Sequence, residues 1–176
     1  MALRPIVLYP DPVLLKPTAP VESVDDEIRQ LVQDMVETMH AAPGIGLAAN
    51  QLGVSLRVCV VDLTVGEEPE QLLVLINPEL LEVGGSQVGE EGCLSFPDVT
   101  FDVERGLAVR VAALDLEGRS RTIEAEGLMA RAILHECEHL DGFTFLRNLS
   151  SLKRELVKRR IKKRIKSGDW VAESVE

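Results

Sequence analysis

Two histidines stand four residues apart in His135-Glu136-Cys137-Glu138-His139. On a helix, side chains at i and i+4 leave one face on adjacent turns, so both imidazoles can reach a single cation. Glu136 follows His135 by about 100° of helical rotation. Its carboxylate therefore flanks that cation, close enough to trade a proton with a water held there. The chain has 3 histidines, and two of them form this motif. The plainer alternative is two surface histidines around a chance glutamate, because the pattern also occurs on helices that bind nothing.

A catalytic site of this type needs a third protein ligand and one open position. A third histidine six residues after the second, as in one group of metalloproteases, is excluded because Phe145 stands there. A downstream glutamate, as in another group, would have to be Glu155, which lies among Lys153, Arg154 and Lys158. His40 is remote and ends a predicted helix, where capping or partial burial suits it. Cys137 falls on the side of the helix away from the histidines, and Cys59 sits in an alternating apolar run as a buried thiol does. Cys93 differs. It lies in Glu90-Glu91-Gly92-Cys93-Leu94-Ser95-Phe96-Pro97, where a glycine before and a proline after imply a shaped, irregular backbone. Alone it would read as structural; beside a two-ligand site it becomes the favoured third ligand.

A further segment, Gly44-Ile45-Gly46-Leu47-Ala48-Ala49-Asn50-Gln51, has small residues that let backbone or substrate approach closely. Gln51 ends it with a neutral amide able to donate to a growing oxyanion. The spacing is not that of a dinucleotide-binding loop. By itself the segment reads first as a helix-terminating turn.

The elements that must position these groups follow from periodicity. Ser23 and Asp26 suggest an N-cap with an acidic first turn, and Ile28, Leu31, Val32, Met35, Val36 and Met39 recur at helical spacing as far as His40. Ala42-Pro43-Gly44 stops that helix. The texture then becomes strand-like at 56–62, 72–76 and 107–114, with Gly66, Gly84-Gly85 and Gly118 as turns, and 119–125 completes a hairpin. A second helix is expected over 128–140, ending at Gly142, and a third over 151–166. Helices and strands come in blocks, which predicts an α+β fold: mostly antiparallel β-sheets packed around a central metal-binding helix, with a C-terminal basic helix. At 176 residues a single domain over 1–176 is expected, with the basic helix at 150–168. Aromatics are only 3%, so the core is expected to rest on Leu, Val, Ile and Ala.

Three cysteines, Cys59, Cys93 and Cys137, with no CxxC pair, argue against a disulfide framework and for a reducing compartment. The first residues lack the apolar run of a signal peptide, and no apolar stretch approaches the ~20 residues a membrane span needs, so a cytoplasmic protein without membrane contact is expected. The net charge of -10 is unevenly placed. Between Lys153 and Lys166 lie nine of the 19 basic residues and one of the 29 acids, a local charge of +8 against -18 on the remainder.

Taken together, the three segments resemble the signature motifs of the peptide deformylase family, in that family's order and spacing, and the resemblance runs along essentially the whole chain. Glu91-Gly92-Cys93-Leu94-Ser95 is its most specific part. The resemblance implies Cys93, His135 and His139 as metal ligands and Glu136 as general acid/base. It further implies the Gln51 side chain and the Leu94 backbone N–H as oxyanion donors, and Gly46 as a contact for substrate backbone. It implies ferrous iron (Fe2+) as the cellular metal, with Zn2+, Ni2+ or Co2+ able to replace it. The substrates it implies are N-formylmethionyl nascent peptides. The basic C-terminal helix would contact ribosomal RNA, a role its charge suits; a merely solvated charged helix is the alternative. Two departures touch the surroundings of the ligands: Glu138 and Leu134 stand where similar proteins usually have Asp and Gln. Leu128 and Ala132 share the histidines' face and either wall a methionine pocket or pack the core. Arg105 either pairs with Glu91 or is solvated. Rival functions are a metallopeptidase and a non-catalytic ribosome-associated protein.

Overall fold

Helix α1 (Asp26–Ala41) starts where the Asp25 carboxylate accepts from Ile28 N at 3.0 Å, with Asp26 and Glu27 in its first turn. The expected cap at Ser23 is thus displaced by two residues, because Asp25 reaches the open N–H groups directly. Ile28, Leu31, Val32, Met35 and Met39 form its buried stripe. The computed structural model describes residues 2–172; Met1 and 173–176, both within the expected domain range, lie outside the described residues.

Seven strands follow: β1 (Gly46–Ala48), β2 (Val58–Val61), β3 (Leu73–Gly84), β4 (Gln87–Cys93), β5 (Phe96–Arg105), β6 (Ala108–Leu114) and β7 (Ser120–Glu126). Five make one antiparallel sheet in the order β1-β2-β3-β6-β7, and among the described residues β4 and β5 pair only with each other. Alternation along the strands assigns the faces. Val58, Val60 and Ile76 turn towards α1, whereas Cys59, Val61, Leu75, Val109 and Val111 turn to α2 (Gly127–Leu140). Because helices cover both faces, β2 is buried along its whole length.

Helix α2 lies between the large sheet and the β4–β5 hairpin, and nearly all of it from Ala130 to Leu140 is buried. The α+β architecture with antiparallel sheets around a central helix is therefore as expected. Phe96, Val99, Val103, Phe145, Leu146, Leu149 and Ile161 form a third cluster beneath the hairpin. Five of the six Phe, Tyr and Trp residues gather there: Tyr9 stacks on Phe96 at 4.8 Å, Phe101 on Phe145 at 4.3 Å, and Trp170 meets Phe96 at 6.3 Å. The expectation of an aliphatic core holds for the two clusters on the large sheet and not for this one.

Helix α3 (Ser151–Ser167) is capped by Ser150, whose side chain accepts from Lys153 N. Leu152, Leu156, Ile161 and Ile165 do not make one apolar stripe along it. Ile161 is buried, but Leu152, Leu156 and Ile165 are 72%, 54% and 45% exposed. The five-residue step from Leu156 to Ile161 rotates the helix by about 140°, so the four positions never shared a face. Val157 and Ile161, a proper i, i+4 pair, dock it instead. No helix among the described residues is long and apolar enough to cross a membrane.

Candidate metal centre

The β4–β5 turn delivers Cys93, and the register of the hairpin breaks between Gly92 and Cys93, so the irregular backbone expected there is real. The surrounding strands were not foreseen. Helix α2 delivers His135 and His139, with ring centroids 5.0 Å apart. Cys93 Sγ lies 3.2 Å from His139 Nε2, and one ligand atom from each of Cys93, His135 and His139 falls within 4.8 Å of the other two. Donors about 2.0–2.3 Å from one ion stand roughly 3.3–3.8 Å from each other, so this set fits a single divalent cation. His135 Nδ1 is engaged by Glu91 Oε1 at 2.8 Å, which leaves Nε2 for the ion and fixes the ring. Among the described residues Glu136 Oε2 is buried with no hydrogen-bond partner, as a carboxylate reserved for a bound water would be.

Electrostatics separate the carboxylates. Burial pushes the Glu136 carboxyl up to about 7; the charge on His135 opposes this, Glu91 adds to it and Arg105 opposes it. Burial would raise Glu91 as well, but hydrogen bonds from His135 and Arg105, and their charges, hold it at about 2. Burial keeps His139 well below its ordinary value, helped by the charges on His135 and Arg105, hence neutral as a ligand must be. His135 is raised: burial lowers it, but contacts with Cys93 and Glu91 outweigh that.

The polar shell is dense. Arg105 grips Glu91 with Nε and Nη2, each at 2.9 Å, and reaches both Glu138 oxygens at 3.2 Å. Glu138 also receives Arg147 at 2.9 Å and Asn148 at 3.2 Å. Arg105 is thus buried and paired rather than solvated. Glu138 points away from the ligand atoms and binds the hairpin to α2, and Leu134 packs in the apolar cluster beside the large sheet.

The glycine-rich segment is more than a turn. Gly46 lies against Glu136, since a Cβ there would come within 2.5 Å of Glu136 Oε1. Gln51 Oε1 accepts from Ala48 N at 2.9 Å, which aims Nε2 at Ser95 Oγ (3.1 Å) and Cys93 Sγ (3.6 Å). Asn50 Nδ2 donates to His139 O at 2.7 Å and ties this segment to the end of α2. Leu94 packs its side chain over Gly44. Gly46, Gln51, Cys93, Leu94, His135 and Glu136 all line one cleft of about 490 Å3, with Ile45, Leu128 and Ala132 among its apolar walls. Of the residues set aside, Cys137 is buried with Cys59 against the sheet, His40 pairs with Asp62 at 2.8 Å, and Glu155 faces solvent beside Lys158.

Asn50, Arg131 and Arg147 contribute to this shell without having been singled out, whereas Glu138 had been marked as a departure in the ligands' surroundings. Arg131 precedes His135 by four positions and so shares its helix face, a spacing that could have flagged it.

Comparison with known proteins finds relatives in sequence and in fold. The family model described as "Polypeptide deformylase" matches residues 3–155. A peptide deformylase of Acidobacterium capsulatum is 49% identical over 170 residues, covering 97% of this chain and 100% of that protein. The crystal structure of a peptide deformylase from Legionella pneumophila superposes with a TM-score of 0.88 at 40% identity, covering 95% of this chain and 98% of that one. The structure of the Ehrlichia chaffeensis peptide deformylase in complex with actinonin gives a TM-score of 0.85 at 37% identity, covering 93% and 98%.

Proposed function

The chain belongs to the peptide deformylase family, and on that premise we propose that it hydrolyses the N-terminal formyl group of formylmethionyl nascent polypeptides, releasing formate. The observation that supports this most is the convergence of Cys93 Sγ and two imidazoles beside the buried Glu136, at the floor of a cleft with apolar walls.

Cys93, His135 and His139 would hold one divalent ion, ferrous iron in the cell, with zinc, nickel or cobalt able to take the site. When bound, the ion acidifies a water and polarises the formyl oxygen. The chain's own groups do the rest. Glu136, poised near neutrality, accepts the water proton as its oxygen bonds to the formyl carbon, then returns that proton to the amine nitrogen as the C–N bond breaks. The Gln51 Nε2 group and the Leu94 N–H donate to the oxygen that gathers charge in between. Gly46 leaves room for Glu136 and offers its backbone to the substrate chain. Leu128 and Ala132 contribute an apolar wall for the methionine side chain. The whole range 1–176 acts as one catalytic domain, and the cytoplasm is its compartment.

The basic face of α3 would contact ribosomal RNA. Added salt should weaken ribosome association steeply, as counterion release requires, and undiminished binding in high salt would remove this part of the reading.

The decisive experiment compares anaerobically purified wild type with Glu136→Gln. Elemental analysis should give equal metal in both, and formate release from a formylmethionyl peptide should fall by roughly 10²–10⁴ in kcat in the variant. A fully loaded variant that turns over normally would overturn the role of Glu136. A wild type that holds metal but leaves the formyl group in place would overturn the assignment itself.

A further inference from the structure

Arg131 is a cationic residue on the cleft wall that is only 6% exposed. Both terminal nitrogens are committed. Nη1 donates to Glu91 Oε2 at 2.6 Å, to Val103 O at 2.9 Å and to Gly89 O at 3.3 Å, and Nη2 to Gln87 O at 3.4 Å. These acceptors lie on both strands of the hairpin, and the donor stands on α2 one turn before His135. Gly89 is shaped for it: a Cβ there would meet Arg131 Nη2 at 3.2 Å and Cζ at 3.4 Å, so the guanidinium lies flat on bare backbone.

We infer that Arg131 is a positioning residue for the metal centre, setting the distance between the strand that carries Cys93 and the helix that carries both histidines. Glu91 is held by Arg105 on one side and Arg131 on the other, and it is Glu91 that fixes the His135 ring. Arg105 also bridges to α2, but only through the Glu138 carboxylate beyond His135, whereas Arg131 reaches from α2 to backbone carbonyls on both strands. Arg131 spans the gap, with a planar fork that matches carboxylate and carbonyl acceptors together. A lysine would keep the charge but could not make this set of bonds.

The inference rests on the metal reading above, and the test separates the two. Wild type, Arg131→Leu, Arg131→Lys and Gly89→Ala are loaded with Co2+, and the cobalt absorption and the rate of release to an excess of chelator are recorded alongside Tm. Arg131→Leu should release cobalt roughly 10–100-fold faster, with a changed cobalt spectrum, the usual range when support of a metal ligand is lost. Arg131→Lys should not restore the wild-type rate. Gly89→Ala, which nudges the guanidinium without removing it, should move rate and spectrum in the same direction by a smaller factor. It decides the matter should Arg131→Leu fail to fold. Wild-type release and spectra in Gly89→Ala and in folded Arg131→Leu, with only Tm lowered, would reduce Arg131 to a structural contact and overturn the inference. Full rescue by lysine would overturn the role of the fork. A wild type that takes up no cobalt would instead sink the metal reading.

Discussion

Replacing Glu91 with glutamine keeps the volume and removes one charge from the most crowded part of the shell. The carboxylate is 6% exposed and bonds to Arg105 twice at 2.9 Å, to Arg131 at 2.6 Å and to His135 at 2.8 Å. An amide can satisfy at most part of that set, and two buried guanidiniums lose a counter-charge. Breaking a buried pair from one side typically costs about 3–5 kcal/mol. Linkage gives a second figure: a carboxyl moved from 4.5 to about 2 corresponds to roughly 3 kcal/mol. The two agree in size. The sign follows from a folded value below the unfolded one. The contribution is complete above about 4.5 and is lost as pH falls towards 2. On metal-stripped protein, urea unfolding at pH 7 should therefore show Glu91→Gln less stable by about 3 kcal/mol, and the gap should close as pH is lowered through that window. A loss below about 1 kcal/mol at pH 7, or a gap that widens in acid, would refute the claim that this network carries stability.

Gln51→Leu should lower kcat for deformylation by about 10²–10³ with metal content unchanged, the range seen when one oxyanion donor is removed; equal turnover would take Gln51 out of the reaction. Gly46→Ala should cut kcat on the order of 10²-fold through displacement of the Glu136 carboxylate, which sits where the new methyl must go; a wild-type rate would show the carboxylate can move at no cost. Removing the metal should lower Tm by about 8–16 °C, since saturating a tight site adds about 4 kcal/mol and a chain of this size loses about 2–4 °C per kcal/mol; calorimetry with and without chelator reads this directly.

Helices α1 and α2 were legible because each has its own period and punctuation: α2 ended at Leu140, as expected from Gly142, and α1 ended before Ala42-Pro43-Gly44. Much of the large sheet was legible from the apolar run at Val58 to Val61 and the alternation at Ala108 to Leu114, but its edge strand β1 lies in the segment read as a turn. The β4–β5 hairpin was not, because β4 fully buries only Glu91 and also carries Glu90 and two glycines, so no apolar alternation marks it. Chemistry-bearing residues stood out by type and spacing, His135 and His139 most of all. Their supports did not, since Asn50 and Arg131 acquire meaning only from partners 28 to 89 positions away. The aromatic cluster was equally hidden, as Tyr9, Phe96, Phe145 and Trp170 are scattered over the chain and meet only on folding.

The hairpin that carries Cys93 belongs to no larger sheet. A lone two-stranded ribbon is marginal by itself, and segments of that kind open at a fraction of the global unfolding free energy. The Cys93 sulfur therefore rides on a ribbon held to the body by its apolar underside and by the Glu91, Arg105 and Arg131 contacts, and where those give way it can open while the sheet behind α2 stays shut. Ageing into a metal-free form would then proceed without denaturation, at the tempo of ribbon opening, and amide exchange along β4 and β5 would keep the same clock.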